Sequence, residues 1–159
     1  MPSVNPGPAT TQTQSQLATL TPVNALGPTV PGQAGNALRL IAVGRGVSLS
    51  GTGDAALMGV INSTSFVPTV VVFSNGLING VTGNIAAGSV SVNTGAAATG
   101  TVVRTAGVLT GMTSTAVALV SASPAAGTDI LGVTGLYFNV ATAVAGGTVD
   151  CFVYAYDVS

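Results

Sequence analysis

From Ala37 onward the chain runs in short stretches of Val, Ala, Thr and Leu, each interrupted by Gly, Asn, Pro or Ser. The β-branched content and the breaks predict short strands. They fall at Leu38–Val43, Ala55–Ile61, Thr69–Ser74, Ser89–Val92, Thr101–Arg104 and Ala116–Ser121. No window carries a helical stripe; the nearest, Ala116–Val120, has β-branched flanks that favour strand. Leu136–Ala141 and Thr148–Tyr156 flank Ala145-Gly146-Gly147, which reads as a hairpin with a glycine turn. In the last strand Val149, Cys151, Val153 and Ala155 share one face, and Asp150, Phe152, Tyr154 and Tyr156 the other. Both faces carry bulk, so this strand is expected to be covered on both sides. Asn75-Gly76 and Asn79-Gly80 are hairpin-type turn dipeptides. Thr-Gly recurs at Thr82, Thr94, Thr99, Thr110 and Thr134 without a strict period, which suits a meander better than a solenoid. About eight short strands predict an all-β domain over residues 37–159, an antiparallel β-sandwich or jelly roll.

Residues 1–36 are of another kind. Pro2, Pro6, Pro8, Pro22, Pro28 and Pro31 stand among Thr, Gln, Asn and Gly, with no charge before Arg39. Proline fixes φ and removes backbone donors, so the stretch favours extended or polyproline conformations. Disordered tails are usually solvated by charge, and this one has none. With Leu17, Leu20, Val23, Leu26 and Val30 spaced through it, it reads as an extended arm that lies along a partner subunit.

Charge changes the picture further. The 159 residues hold 3 Lys+Arg, 4 Asp+Glu and no His, a formal net charge of −1. A folded monomer of this size exposes roughly 7,000 Å², so about one charge serves each 1,000 Å². Soluble surfaces ordinarily carry about a quarter to a third charged residues. Much of this surface is therefore expected to be covered in the working state, which makes the chain a subunit. Arg39, Arg45 and Arg104 stand apart, which argues against nucleic acid and anionic membranes. No stretch reaches 18 consecutive apolar positions, and the aromatic girdles of an outer-membrane barrel are missing. The opening residues, Met1 to Pro6, show no signal-peptide pattern, so synthesis in the cytoplasm is expected.

Candidate chemistry is thin. Without His, Lys or Glu most general acids and bases are missing. Gly51, Gly53 and Ala56 match a loose dinucleotide fingerprint, but the strand and helix it needs are not evident, and a glycine turn is the plainer reading. Asp54 and Asp129 lie in Gly/Thr turns, where a carboxylate caps its own backbone; Asp150 and Asp157 flank the last strand, where pairing with Arg is expected. Cys151 reads as a small buried hydrophobe. Asn62-Ser63-Thr64 matches a glycosylation sequon and reads as a polar turn. Tyr137, Tyr154 and Tyr156 are interface candidates, with core packing the commoner role. No catalytic residue, metal ligand or cofactor site is assigned.

An arm at Met1–Asn36 leading into a β domain that ends in Leu136–Val140 and Cys151–Tyr156, rich in Ala, Gly, Thr and Val and poor in charge, resembles the small capsid decoration (cement) proteins of tailed bacteriophages. The resemblance lies in composition and organisation, and no functional residue carries over. It implies a virion protein made in the host cytoplasm that binds the outside of an assembled shell. Its partner would be the major capsid protein, and it would itself form a dimer or trimer. A tail-fibre or receptor-binding β module is the competing class, with a self-assembling structural protein next. An ice-binding threonine array and an enzyme fit least.

Overall fold

The computed structural model describes residues 38–116, 118–122 and 131–158; the arm and Asp129 lie outside them. Among the described residues the chain forms β1 (Leu38–Ser48), β2 (Gly53–Gly59), β3 (Phe66–Ile78), β4 (Val81–Thr82), β5 (Ser89–Gly95), β6 (Thr99–Val108), β7 (Ala118–Ala122), β8 (Gly135–Thr142) and β9 (Gly147–Asp157). Every segment expected to be a strand overlaps one, and among the described residues only the two-residue β4 is additional.

One sheet runs β1-β9-β3, with the far edge of β3 taken by β7 along Val70–Ser74 and by β4 at Leu77 and Ile78. The other runs β2-β8-β5-β6, and all pairings are antiparallel. Leaving out β4, first pairs with last (β1–β9), second with second-last (β2–β8), third with third-last (β3–β7), and the middle two pair with each other (β5–β6). That nesting is a long hairpin wound over itself, which is the jelly roll.

The expected β8–β9 hairpin is not formed. Strand β8 pairs with β2 and β5, and β9 pairs with β1 and β3 in the opposite sheet. The glycine turn is an arch between sheets, and the chain after β1 holds it. Val144 N–H donates to Leu49 O at 2.8 Å, and Leu49 N–H donates to Gly147 O at 2.8 Å. Likewise the turns do not link a meander, since successive strands mostly cross between sheets.

The two Asn-Gly dipeptides part company. Asn79 and Gly80, both at positive φ, make the two-residue turn between β3 and β4, as expected. Asn75-Gly76 instead lies inside β3 as a bulge, between Ser74↔Asp150 and Leu77↔Thr148. Strand β1 bulges at the same level, between Gly44↔Cys151 and Val47↔Val149. Bulges let both strands run on past residues that look like breaks.

The inner faces interdigitate. Ile41, Val47, Val71, Phe73, Val149, Cys151 and Val153 meet Met58, Val90, Val92, Val103, Leu136, Phe138 and Val140, all buried. Phe73 and Phe138 touch across the sandwich edge to face, with centroids 6.2 Å apart and planes at 78°. The predicted split of β9 holds, with Val149, Cys151, Val153 and Ala155 fully buried.

Candidate functional site

The described charges are engaged within the fold: Arg104, Asp150 and Asp157 are buried, while Arg39, Arg45 and Asp54 hold their partners at the surface. Asp150 lies between the paired bulges. Its Oδ1 accepts Gly46 N–H at 2.7 Å; its Oδ2 faces Arg45 Nη1 at 3.4 Å and Asn75 Nδ2 at 3.5 Å. Arg45 also stacks over Phe152, 4.9 Å from the ring centroid. Arg39 pairs with Asp157, which accepts Ser63 Oγ–H at 3.0 Å. Both expected Arg–Asp pairings are present, and the sequon serine is spent on one of them.

Asp54 departs from expectation. It caps no turn of its own but ties β2 to Asn139 on the neighbouring β8 and to the β5–β6 loop. Its Oδ2 accepts Ala97 N–H at 2.7 Å and its Oδ1 accepts Asn139 Nδ2–H at 2.9 Å. These two bonds, Asn139 first, hold its carboxyl below the ordinary 3.8 against a smaller opposing effect of burial. The loop needs the restraint, because Ala97 (φ 54°) and Ala98 (φ 60°) are left-handed alanines. A depressed carboxylate contributes stability that is present above the unfolded value and lost as pH falls through the lower folded one. Loop restraint is therefore full above pH 3.8 and weakens below it. In Asp54→Ala, hydrogen exchange at Ala97 is expected to accelerate at least about tenfold, the loss of one charge-assisted hydrogen bond; unchanged exchange would contradict the cap.

Arg104, on the edge strand β6, points inward and is 6% exposed. One extra residue bulges β6 between Val90↔Gly107 and Val92↔Arg104. The guanidinium supplies donors there, to Val90 O and to Gly107 O at 3.1 Å, with Thr105 O at 3.4 Å. It lies over Phe73, 4.8 Å from the centroid. Burial lowers its pKa.

Cys151 is the buried hydrophobe expected, its thiol pushed up to about 12 by burial against a smaller opposing pull from Arg104. A thiol raised above its unfolded value of 9.0 contributes stability that is intact below pH 9 and lost as pH rises toward 12. In that window unfolding free energy should fall by about 1.4 kcal/mol per pH unit. Urea unfolding at about pH 8 and about pH 10.5 is expected to show a steeper fall for the native chain than for Cys151→Ala. Equal slopes would mean that the thiol is not shielded.

What remains for a partner lies on the outer sheet faces. The three tyrosines are there, not in the core. Tyr137 faces outward beside Leu57, which is 62% exposed. With Gly59, Thr94 and residues 132–135 they line an open groove of about 520 Å³. A Cβ on Gly135 would come within 2.8 Å of Leu57 Cδ1, so glycine lets this wall close up. The groove offers hydroxyls from Thr94, Thr134 and Tyr137, backbone amides and apolar surface. It can bind by shape and hydrogen bonding, and Tyr137 is the one lining side chain of a type used in proton transfer.

Strand β2, not a helix, follows Gly51 and begins at Gly53, so the dinucleotide fingerprint has no phosphate-binding helix terminus. No group of three or more His, Cys, Asp or Glu is placed to hold a metal among the described residues. No helix among the described residues is long and apolar enough to cross a membrane. The chain matches no protein-family model, no curated protein and no solved structure.

Proposed function

We propose that the chain is a virion structural protein, a decoration protein that binds the outside of an assembled phage shell and braces contacts between major capsid subunits. One observation carries this reading. The described charges are engaged within the chain, while Leu57, Ile61, Val102 and Val108 stand exposed on a nearly uncharged surface. A surface of this kind is suited to apolar and backbone contacts repeated by symmetry, where modest interfaces add up. The jelly roll supports the reading only as a scaffold, since one fold serves many functions.

The expected result is retention in salt. Shells carrying the protein should keep it in about 1 M sodium chloride, where the Debye length is about 3 Å and exposed ion pairs are screened. Release at that salt concentration would mean that charge holds the contact. The groove around Tyr137 supports a second reading, a receptor-binding β module, because a saccharide ring can stack on a half-buried tyrosine that faces outward. Titration with host-surface glycans separates the two: shifts at Tyr137 and Leu57 would favour the receptor module.

A further inference from the structure

The outer face of the β9 sheet carries three rows of apolar side chains. Leu38, Tyr156 and Val67 form the first row; Leu40, Tyr154 and Val70 the second; Val43, Phe152, Val72 and Val120 the third. Leu38 is 49% exposed, Tyr156 40% and Val120 67%. A polar row of Arg45, Asp150 and Asn75 bounds the patch at one end. With strands about 4.8 Å apart and facing residues about 6.8 Å apart along them, the patch measures roughly 19 by 20 Å, or about 400 Å². A stable dimer buries about 800 Å² on each partner, so a second folded copy seated here alone would be too lightly held. A single extended segment fits the area.

The chain supplies such a segment. Leu17, Leu20, Val23 and Leu26 recur every third residue in a proline-containing, uncharged stretch. Three residues per turn is the repeat of polyproline II, which would put all of them along one edge, about 28 Å from first to last at about 3.1 Å per residue. That is close to the diagonal of the patch. Polyproline II keeps its backbone groups solvated, so it can lie on a sheet face that offers no ladder partners, and aromatic-lined surfaces are its usual seat. Reach is not limiting, because residues 27–37 join the segment to Leu38 at the patch's own corner and span up to about 36 Å. Gly27-Pro28, Pro31-Gly32 and Gly35-Asn36 are turn dipeptides that allow the chain to reverse. A tether this short gives an effective concentration in the millimolar range, which favours the chain's own segment over a neighbour's.

We infer that residues 17–26 dock on the outer face of the β9 sheet of the same chain, their Leu and Val side chains against Phe152, Tyr154, Tyr156 and Val72. The arm that composition alone sends to a partner subunit is kept at home and closes one apolar face. The groove around Tyr137, on the other sheet, stays open. This inference is independent of the shell-binding reading.

Nuclear Overhauser spectroscopy on the full chain tests it. Contacts are expected between the methyls of Leu17, Leu20, Val23 and Leu26 and the rings of Phe152, Tyr154 and Tyr156. They should be absent between chains in a sample mixing labelled and unlabelled protein. The double variant Leu20→Asp/Leu26→Asp, which leaves the β domain untouched, should shift the Val72 and Val120 methyls. It should also speed thermolysin cleavage within residues 17–26 at least about tenfold, since apolar burial worth over about 1.4 kcal/mol is lost. No contacts, or equal cleavage, would overturn the inference. Contacts only between differently labelled chains would overturn it in favour of a second copy's segment.

Discussion

Arg104→Met is expected to lower the unfolding free energy by about 3 kcal/mol, read by urea denaturation. The guanidinium stands among the carbonyls that the β6 bulge leaves to it, those of Val90, Thr105 and Gly107. A buried carbonyl left without a donor costs about 1–3 kcal/mol. Against this, the variant regains the desolvation cost of a buried cation and keeps a side chain of similar reach. The opposing terms leave a net loss because the buried Val90 carbonyl loses its charged donor and the half-buried Gly107 carbonyl loses one with it. Arg104→Lys should recover only part of it, since its ammonium ends one bond short of Nη1, the nitrogen that reaches all three carbonyls. A loss under about 1 kcal/mol for Arg104→Met would show that water or backbone movement satisfies the bulge without the side chain.

Phe138→Ala is expected to cost about 3–5 kcal/mol, the range for emptying a large aromatic from a close-packed interior. Phe138 is fully buried on β8 and meets Phe73 of the opposite sheet, so its removal opens a void at the sandwich centre. Phe73 also carries the Arg104 guanidinium on its face. Arg104→Met and Phe138→Ala both act on Phe73 and are therefore expected to be non-additive by about 0.5–2 kcal/mol in a double-mutant cycle. Additivity within about 0.3 kcal/mol would mean that Phe73 does not couple them.

The strands were legible because alternation is local. The inward set of β9, Val149 to Ala155, can be read from residue spacing alone. Pairing is decided by residues far apart in sequence, and there local signals mislead. Ala145-Gly146-Gly147 has the chemistry of a hairpin turn, yet Leu49 captures the arch and sends β8 and β9 to different sheets. Asn75-Gly76 marks a break in one dimension and a bulge in three, because Asp150 on β9 stands ready to pair with Asn75. The Arg–Asp pairs could be anticipated because the chain has few charges to match. The burial of Arg104 could not, since a lone arginine among Val and Thr carries no mark of the bulge it fills. Tyr137 was recognisable as an interface residue type, but the groove beside it depends on Leu57 and residues 132–135, which the fold alone brings together.

The central claim is that this nearly uncharged jelly roll works as a subunit on a larger shell. Gradient sedimentation of the native protein from its source, with the fast fractions imaged by electron microscopy, tests it most directly. The account predicts co-migration with icosahedral particles at a fixed ratio to a larger shell protein. Recovery of all the protein as a small soluble oligomer, with particles of the same preparation free of it, would contradict the account.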